Sequence, residues 1–274
     1  MKRILTAAVL ILVTLALVFC GPFWLFTLFC AIAAGLAFWE YLDIADAIGA
    51  QSPRIVSFVA FAAIYISIWK YPDFLTATVG AIALALLTYC TFHSPVDRIL
   101  PDAASVYIGI IYVGLSFATL PLLFEQSNGP SLLLFLFVAV WSGDIAALYI
   151  GKAFGKHKLA PQLSPGKTWE GSLASLVASA FLTLFLLWVA SFLTAHSVDN
   201  LSYPGSWFRW LVLAVIVNAA GQLGDLVESG LKRAAGIKDS GSLLPGHGGV
   251  LDRIDALLLA APVLWYAHLA QQYF

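Results

Sequence analysis

Nine apolar runs, each close to the length that crosses a bilayer, take up most of this chain. They fall at roughly 4–20, 22–40, 55–70, 73–91, 103–124, 131–151, 171–196, 207–231 and 251–272. A helix crossing hydrocarbon needs about 20 mostly apolar residues, because every backbone polar group must be satisfied within the segment. Gly21-Pro22, Pro72, Pro101 and Gly129-Pro130 break the series. The third run is short enough to be re-entrant. Only 11% of the residues are charged, against about 25% in an ordinary soluble chain. The expected fold is therefore an all-α integral membrane protein. It is a polytopic helical bundle of about nine transmembrane helices, forming a single domain over residues 1–274. Cys20, Cys30 and Cys90 lie inside apolar runs and read as small buried hydrophobes. A net charge of −1 without a basic face excludes a nucleic-acid binder. Lys2-Arg3 and the apolar run to Val18 imitate a secretion signal. Phe19 is too large for its cleavage site, so a retained first helix is expected.

The basic residues orient these runs. With a cytoplasmic N-terminus and nine crossings, the inner face holds twelve of the fourteen Lys and Arg residues, leaving only Lys70 and Arg209 outside. That is the charge bias of a correctly threaded membrane protein. The two longest polar connections, 152–170 and 232–250, both fall inside. With a compact chain and no targeting segment, the expected location is a bacterial cytoplasmic membrane, with any chemistry on its inner face.

Residues 218–255 hold five of the fifteen acidic residues within this apolar background. Asn218, Gln222, Asp225, Ser229 and Lys232 are spaced 4, 3, 4 and 3, which puts all five on one face of the eighth run. Glu228 and Arg233 flank that face. An Asp at mid-bilayer costs about 3 kcal/mol, so the stripe must face other helices or a wet cavity. Three uses remain open: a structural polar seam with Asp225 paired to Lys232 or Arg233, a transport pathway, or a reaction site.

The following loop is rich in glycine, with Pro245-Gly246-His247-Gly248-Gly249 leading to Asp252-Arg253-Ile254-Asp255 at the start of the last run. Glycines let backbone N–H groups turn toward one anion, and a helix N-terminus adds positive potential. Asp252 and Asp255, three apart, share a face; paired carboxylates beside such a loop suggest a divalent metal and phosphate. Asp144 lies deep in the sixth run. The connection after it carries Lys152, Lys156, Lys158 and the turn Ser164-Pro165-Gly166-Lys167-Thr168. An ordinary positive-inside loop explains the first three lysines; the turn is suited to aiming Lys167.

The pattern Ser229-x-Leu231-Lys232-Arg233-x4-Lys238-Asp239-x-Gly241-x2-Leu244-Pro245-x-His247-Gly248-Gly249-x2-Asp252-Arg253-x-Asp255 resembles the signature of the phosphatidate cytidylyltransferase (CDP-diacylglycerol synthase) family. The turn SPGKTWEG and Asp144 are similar to that family's pattern as well. The resemblance covers residues 141–171 and 218–255, the expected active-site regions. It implies that CTP and phosphatidic acid give CDP-diacylglycerol and pyrophosphate with one or two metal ions, Mg²⁺ among them. It also implies a polytopic protein embedded among membrane lipids, in a family where homodimers occur.

On that resemblance the expected catalytic residues are Asp225, Asp252, Lys232 and Lys167. Asp225 and Asp252 are the leading metal ligands, with Asp144 and Asp255 as further candidates. Ser164, Lys167, Ser229, Lys232, Arg233 and Lys238 are expected around the phosphates, and His247, Gly248 and Gly249 around the nucleotide. The chemistry is compatible with these residue types. A phosphate monoester has a second pKa of about 6, so it is an ionised nucleophile at neutral pH without a general base. Competing readings are a CTP-dependent lipid kinase, whose neutral alcohol needs a base, and an anionic-solute transporter. If Lys158 is only a positive-inside residue, Lys158→Ala leaves cytidylyl transfer within about twofold of wild type in a radiolabel assay.

Overall fold

Proline placement sets many of the helix starts. Pro22 and Pro53 immediately precede helices, and Pro130 lies in the first turn of another, where its missing N–H costs no helical hydrogen bond. The computed structural model describes residues 2–197, 201–243 and 248–273. Its helices are α1 (Lys2–Cys20), α2 (Phe23–Ala47), α3 (Arg54–Lys70), α4 (Leu75–His93), α5 (Ile99–Gly109), α6 (Ser116–Phe124), α7 (Gly129–Phe154), α8 (Trp169–Ala195), α9 (Trp207–Ala234) and α10 (Leu251–Tyr273). A π-helical turn, Ile110–Leu115, joins α5 to α6 in one continuous rod. Among the described residues there are thus nine rods, each overlying one of the nine apolar runs.

The protein is a multi-pass helical membrane protein. Seven of the rods, among the described residues, are long and apolar enough to cross a membrane. The other two are α3, with 17 residues, and α1, whose described side chains from Val9 to Cys20 make a shorter apolar helix. One element was not expected. The connection after α7 forms a small antiparallel hairpin, β1 (Lys158–Ala160) with β2 (Ser164–Thr168), in place of an irregular turn.

The chain divides into two compact units. The first comprises Met1–Val13, Gly21–Pro121 and Leu231–Ile254. Its core is aromatic: Phe38 stacks on Phe61 with ring centroids 5.3 Å apart, and Phe58 meets Phe38 edge-on at 5.4 Å. The Tyr41 hydroxyl donates to the Ser105 carbonyl at 3.0 Å, tying α2 to α5.

The second unit comprises Thr14–Cys20, Leu122–Gly230 and Asp255–Phe274. A polar seam holds α7, α8 and α9 together inside it. The Asn218 amide donates to the Ala139 carbonyl at 2.9 Å, and its Oδ1 accepts from Ser175 at 3.0 Å and from Gln222 at 2.8 Å. Ser172 donates to Gln222 at 2.5 Å. Ser175 and Asn218 are almost wholly buried, so each polar atom must find its partner within the protein. Gly143 on α7 sits against this seam; a Cβ there would collide with the Asn218 amide and the Ser175 hydroxyl. Gly143→Ala should therefore destabilise the protein by about 1–3 kcal/mol, seen as a lower unfolding temperature in detergent.

Candidate active site

The hairpin and the C-terminal half of α9 build the first group of candidate side chains, within the second unit. Thr168 ends β2 and caps α8 by accepting from the Gly171 N–H at 3.2 Å. Glu170 in the first turn of α8 pairs with the His157 ring at 2.7 Å, and the Trp169 N–H donates to the His157 carbonyl at 2.9 Å. These contacts fix the hairpin on the start of α8, and Lys167 is carried with it. Its Nζ lies 2.6 Å from Asp225 Oδ2. Ser229, one turn along α9, donates to Asp225 Oδ1 at 3.3 Å. Asp144 lies within electrostatic range of both Asp225 and Lys167, and its side chain is accessible. Lys167 and Asp225 are partly exposed, at 24% and 37%, so both are open to a ligand.

This arrangement divides the α9 stripe by partner. Asn218 and Gln222 belong to the structural seam, whereas Asp225 and Ser229 face Lys167. The cation beside Asp225 comes from the hairpin, not from Lys232 or Arg233 of its own helix. Ser164 opens β2 opposite Ala160 and is half-buried. Lys152, Lys156 and Lys158 are exposed.

The second group lies in the first unit. Lys232 meets Asp252 Oδ1 at 2.5 Å, with their side chains only 11% and 6% exposed. The other oxygen of Asp252 accepts from the Ser240 N–H at 3.0 Å and the Gly249 N–H at 2.8 Å. Arg233 is exposed and donates to the Ile237 carbonyl at 3.2 Å. Lys238 is exposed on the loop, and Gly248 adopts a φ of 83° that suits glycine alone. His247, expected to line the nucleotide pocket, lies outside the described residues, as do Leu244, Pro245 and Gly246. Asp255, in the second unit, accepts from the Ala256 N–H at 2.8 Å.

One residue of this group escaped the sequence reading. Glu40 of α2 is 2% exposed and accepts from Val250 N–H at 3.0 Å, Leu251 N–H at 2.8 Å and the Ser240 hydroxyl at 2.9 Å. The amides at the start of α10 were expected to turn toward a substrate anion. At Gly249, Val250 and Leu251 they turn instead toward the protein's own carboxyl groups. The available signal was an acidic residue at the end of an apolar run, first of three with Asp43 and Asp46.

Donor chemistry decides where a metal fits. Among the described residues no three His, Cys, Asp or Glu side chains come together as a protein-only cage. Mg²⁺ does not need one: it binds one or two carboxylates and completes its octahedron with water and phosphate oxygens. Asp144 and Asp225, both accessible, fit that pattern. Asp252 has both oxygens engaged by an ammonium and two amides, which suits it to holding its neighbours. A cavity of about 600 Å³ between the far ends of α8 and α9, lined by Leu187, Tyr203 and Trp207 among others, includes none of these groups.

Comparison with known proteins follows the same line. The model of the cytidylyltransferase family matches residues 1–270. The chain is 40% identical to phosphatidate cytidylyltransferase of Brucella melitensis over 266 residues, covering 96% of this chain and 91% of the relative. It is 33% identical to the protein of the same name from Haemophilus influenzae over 294 residues, covering 97% of each. A Staphylococcus saprophyticus phosphatidate cytidylyltransferase is 42% identical over 164 residues, 60% of this chain and 58% of the relative.

The two ion pairs differ in burial, and stability should separate them. Asp252→Ala removes a buried carboxylate that holds the Lys232 ammonium and two backbone N–H groups, and is expected to cost about 3–5 kcal/mol. Asp225→Ala breaks a partly exposed pair and is expected to cost about 0–1 kcal/mol. Unfolding temperatures of the two variants in detergent check this order.

Proposed function

We propose that this chain, which belongs to the cytidylyltransferase family, transfers the cytidylyl group of CTP to phosphatidic acid, giving CDP-diacylglycerol and pyrophosphate. The reaction takes place at the cytoplasmic face of a bacterial inner membrane, the face to which the Lys and Arg distribution assigns residues 152–170 and 232–250. The observation that carries this reading is Lys167 drawn onto Asp225 at 2.6 Å with Asp144 beside them. One ammonium and two accessible carboxylates suit a nucleoside triphosphate that arrives with a divalent cation, because metal and phosphate need opposite charges in one place.

In the reaction, an oxygen of the lipid phosphate monoester attacks the α-phosphorus of CTP in line. The new P–O bond forms as the bond to the β-phosphate's bridging oxygen breaks, and pyrophosphate leaves. The nucleophile is already ionised near neutral pH, so no side chain has to remove a proton. The obstacles are repulsion between two anions and charge on the leaving group. Lys167 supplies a positive charge that exchanges Asp225 for phosphate, and Ser229 orients the Asp225 carboxylate. Asp144 and Asp225 would hold Mg²⁺, which would supply further neutralisation of the phosphate oxygens.

Lys232, Arg233 and Lys238 add positive charge for the phosphates of nucleotide and lipid. Asp252 holds Lys232 through one oxygen and the loop through the other, so its contribution is orientation before ligation. Asp255 is a weaker ligand candidate than Asp144. An accessible Asp144 within an apolar helix also calls for a polar occupant, since facing hydrocarbon would cost about 3 kcal/mol; a lipid headgroup meets that need. A second metal ion and a homodimer belong to the same reading, and metal titration and the mass of the detergent-solubilised protein address them.

The test uses purified protein in detergent with phosphatidic acid, Mg²⁺ and CTP labelled at the α-phosphate. Label is expected in the lipid fraction and is lost with EDTA. Label entering lipid only from γ-labelled CTP would mark a kinase instead. Asp225→Asn should lower turnover by about 10²-fold or more while leaving the unfolding temperature near wild type.

A further inference from the structure

Glu40 lies about 200 positions from the loop it touches, yet it is that loop's main internal anchor within the first unit. Its two oxygens take up the first N–H groups of α10, Val250 and Leu251. Those donors have no intrahelical acceptor and would otherwise be buried unpaired. Oε2 also accepts from the Ser240 hydroxyl, whose oxygen in turn accepts from the Asp252 N–H at 3.3 Å. The Ser240 N–H closes the loop by donating to Asp252 Oδ2, while Asp252 Oδ1 holds the Lys232 ammonium. An unbroken chain of contacts therefore runs from Glu40 through Ser240 and Asp252 to Lys232.

The surrounding backbone is shaped to admit this side chain. A Cβ on Gly241 or on Gly249 would collide with the Glu40 carboxyl group. Two glycines of the Gly-rich segment are thus accounted for by close approach of Glu40 to the chain. No Ala would fit at either position without displacing it.

We propose that Glu40 is a positioning residue for cytidylyl transfer, holding Ser240, Val250 and Leu251 so that Asp252 and the Lys232 ammonium stand where the reaction uses them. This rests on the functional reading above. Glu40 touches no reacting atom; it acts through Ser240 and Asp252. It is suited to the task because both of its oxygens accept and neither donates. In Glu40→Gln, whichever way the amide is turned, an NH₂ group faces a backbone N–H.

The experiment measures two things on detergent-purified full-length variants. Hydrogen–deuterium exchange of residues 238–252 reports the clamp directly and needs no activity. Steady-state kinetics with α-labelled CTP, normalised to folded protein, report its consequence. Glu40→Gln is expected to speed exchange in 238–252 at least about tenfold and to lower kcat by about 10²-fold. KM for phosphatidic acid is expected to change by less than about threefold. Glu40→Asp, which keeps two acceptors, should recover part of the lost kcat. Wild-type exchange in 238–252, or wild-type kcat per folded molecule, in Glu40→Gln overturns the proposal. If Glu40→Gln does not fold, Ser240→Ala decides by the same two criteria, since it removes the hydroxyl linking Glu40 to Asp252. A wild-type protein that transfers no label refutes the assigned reaction, and the exchange measurement alone then decides whether Glu40 clamps the loop.

Discussion

Charged and polar groups set among apolar helices must be solvated by the protein itself, and that requirement organises this structure. Water is not available inside the hydrocarbon layer to satisfy a carboxylate, an amide or a stray N–H. Three polar side chains within the helices show how the protein meets that need. Asn218 engages Ala139, Ser175 and Gln222; Asp252 engages Lys232, Ser240 and Gly249; Glu40 engages Val250, Leu251 and Ser240. Helix packing follows from these demands, because small residues must stand wherever a polar group crosses between helices, as Gly143 does beside Asn218 and Ser175.

The same requirement separates structural polarity from polarity kept for a ligand. Groups committed to holding the fold are buried and saturated with internal partners, as at Asn218 and Asp252. Asp225, Lys167 and Asp144 remain accessible and retain capacity for more bonds. A charged substrate can displace a partly exposed ion pair at little cost, since such a pair contributes only about 0–1 kcal/mol. Disrupting a buried one would expose an uncompensated charge. Asp225, Lys167 and Asp144 are thus exposed to different degrees from the buried pair of Lys232 and Asp252.

Kinship with phosphatidate cytidylyltransferases over nearly the full chain agrees with this division. For a reaction between two anions, charge compensation matters more than a base, and the described site is rich in Asp and Lys. His157 pairs with Glu170, fixing the hairpin that carries Lys167.

Apolar run length marked out the helices: among the described residues nine rods lie where nine runs were read, and seven of them are long and apolar enough to cross a membrane, because local hydrophobicity goes far to specify such a helix. The α9 stripe was also legible, since a spacing of 4 and 3 allows only one face. Partner choice was not. A partner for Asp225 from its own helix, Lys232 or Arg233, was one open alternative, whereas the fold brings Lys167 to it from a hairpin that no periodicity announced. The sequence assigned the amides of the glycine loop to a substrate anion, whereas at Gly249, Val250 and Leu251 they meet Asp252 and Glu40. Periodicity reports which residues share a face of one element. Which carboxyl group, from 200 residues away, fills a particular nest of N–H groups is a matter of three-dimensional packing, and only the tertiary structure decided it.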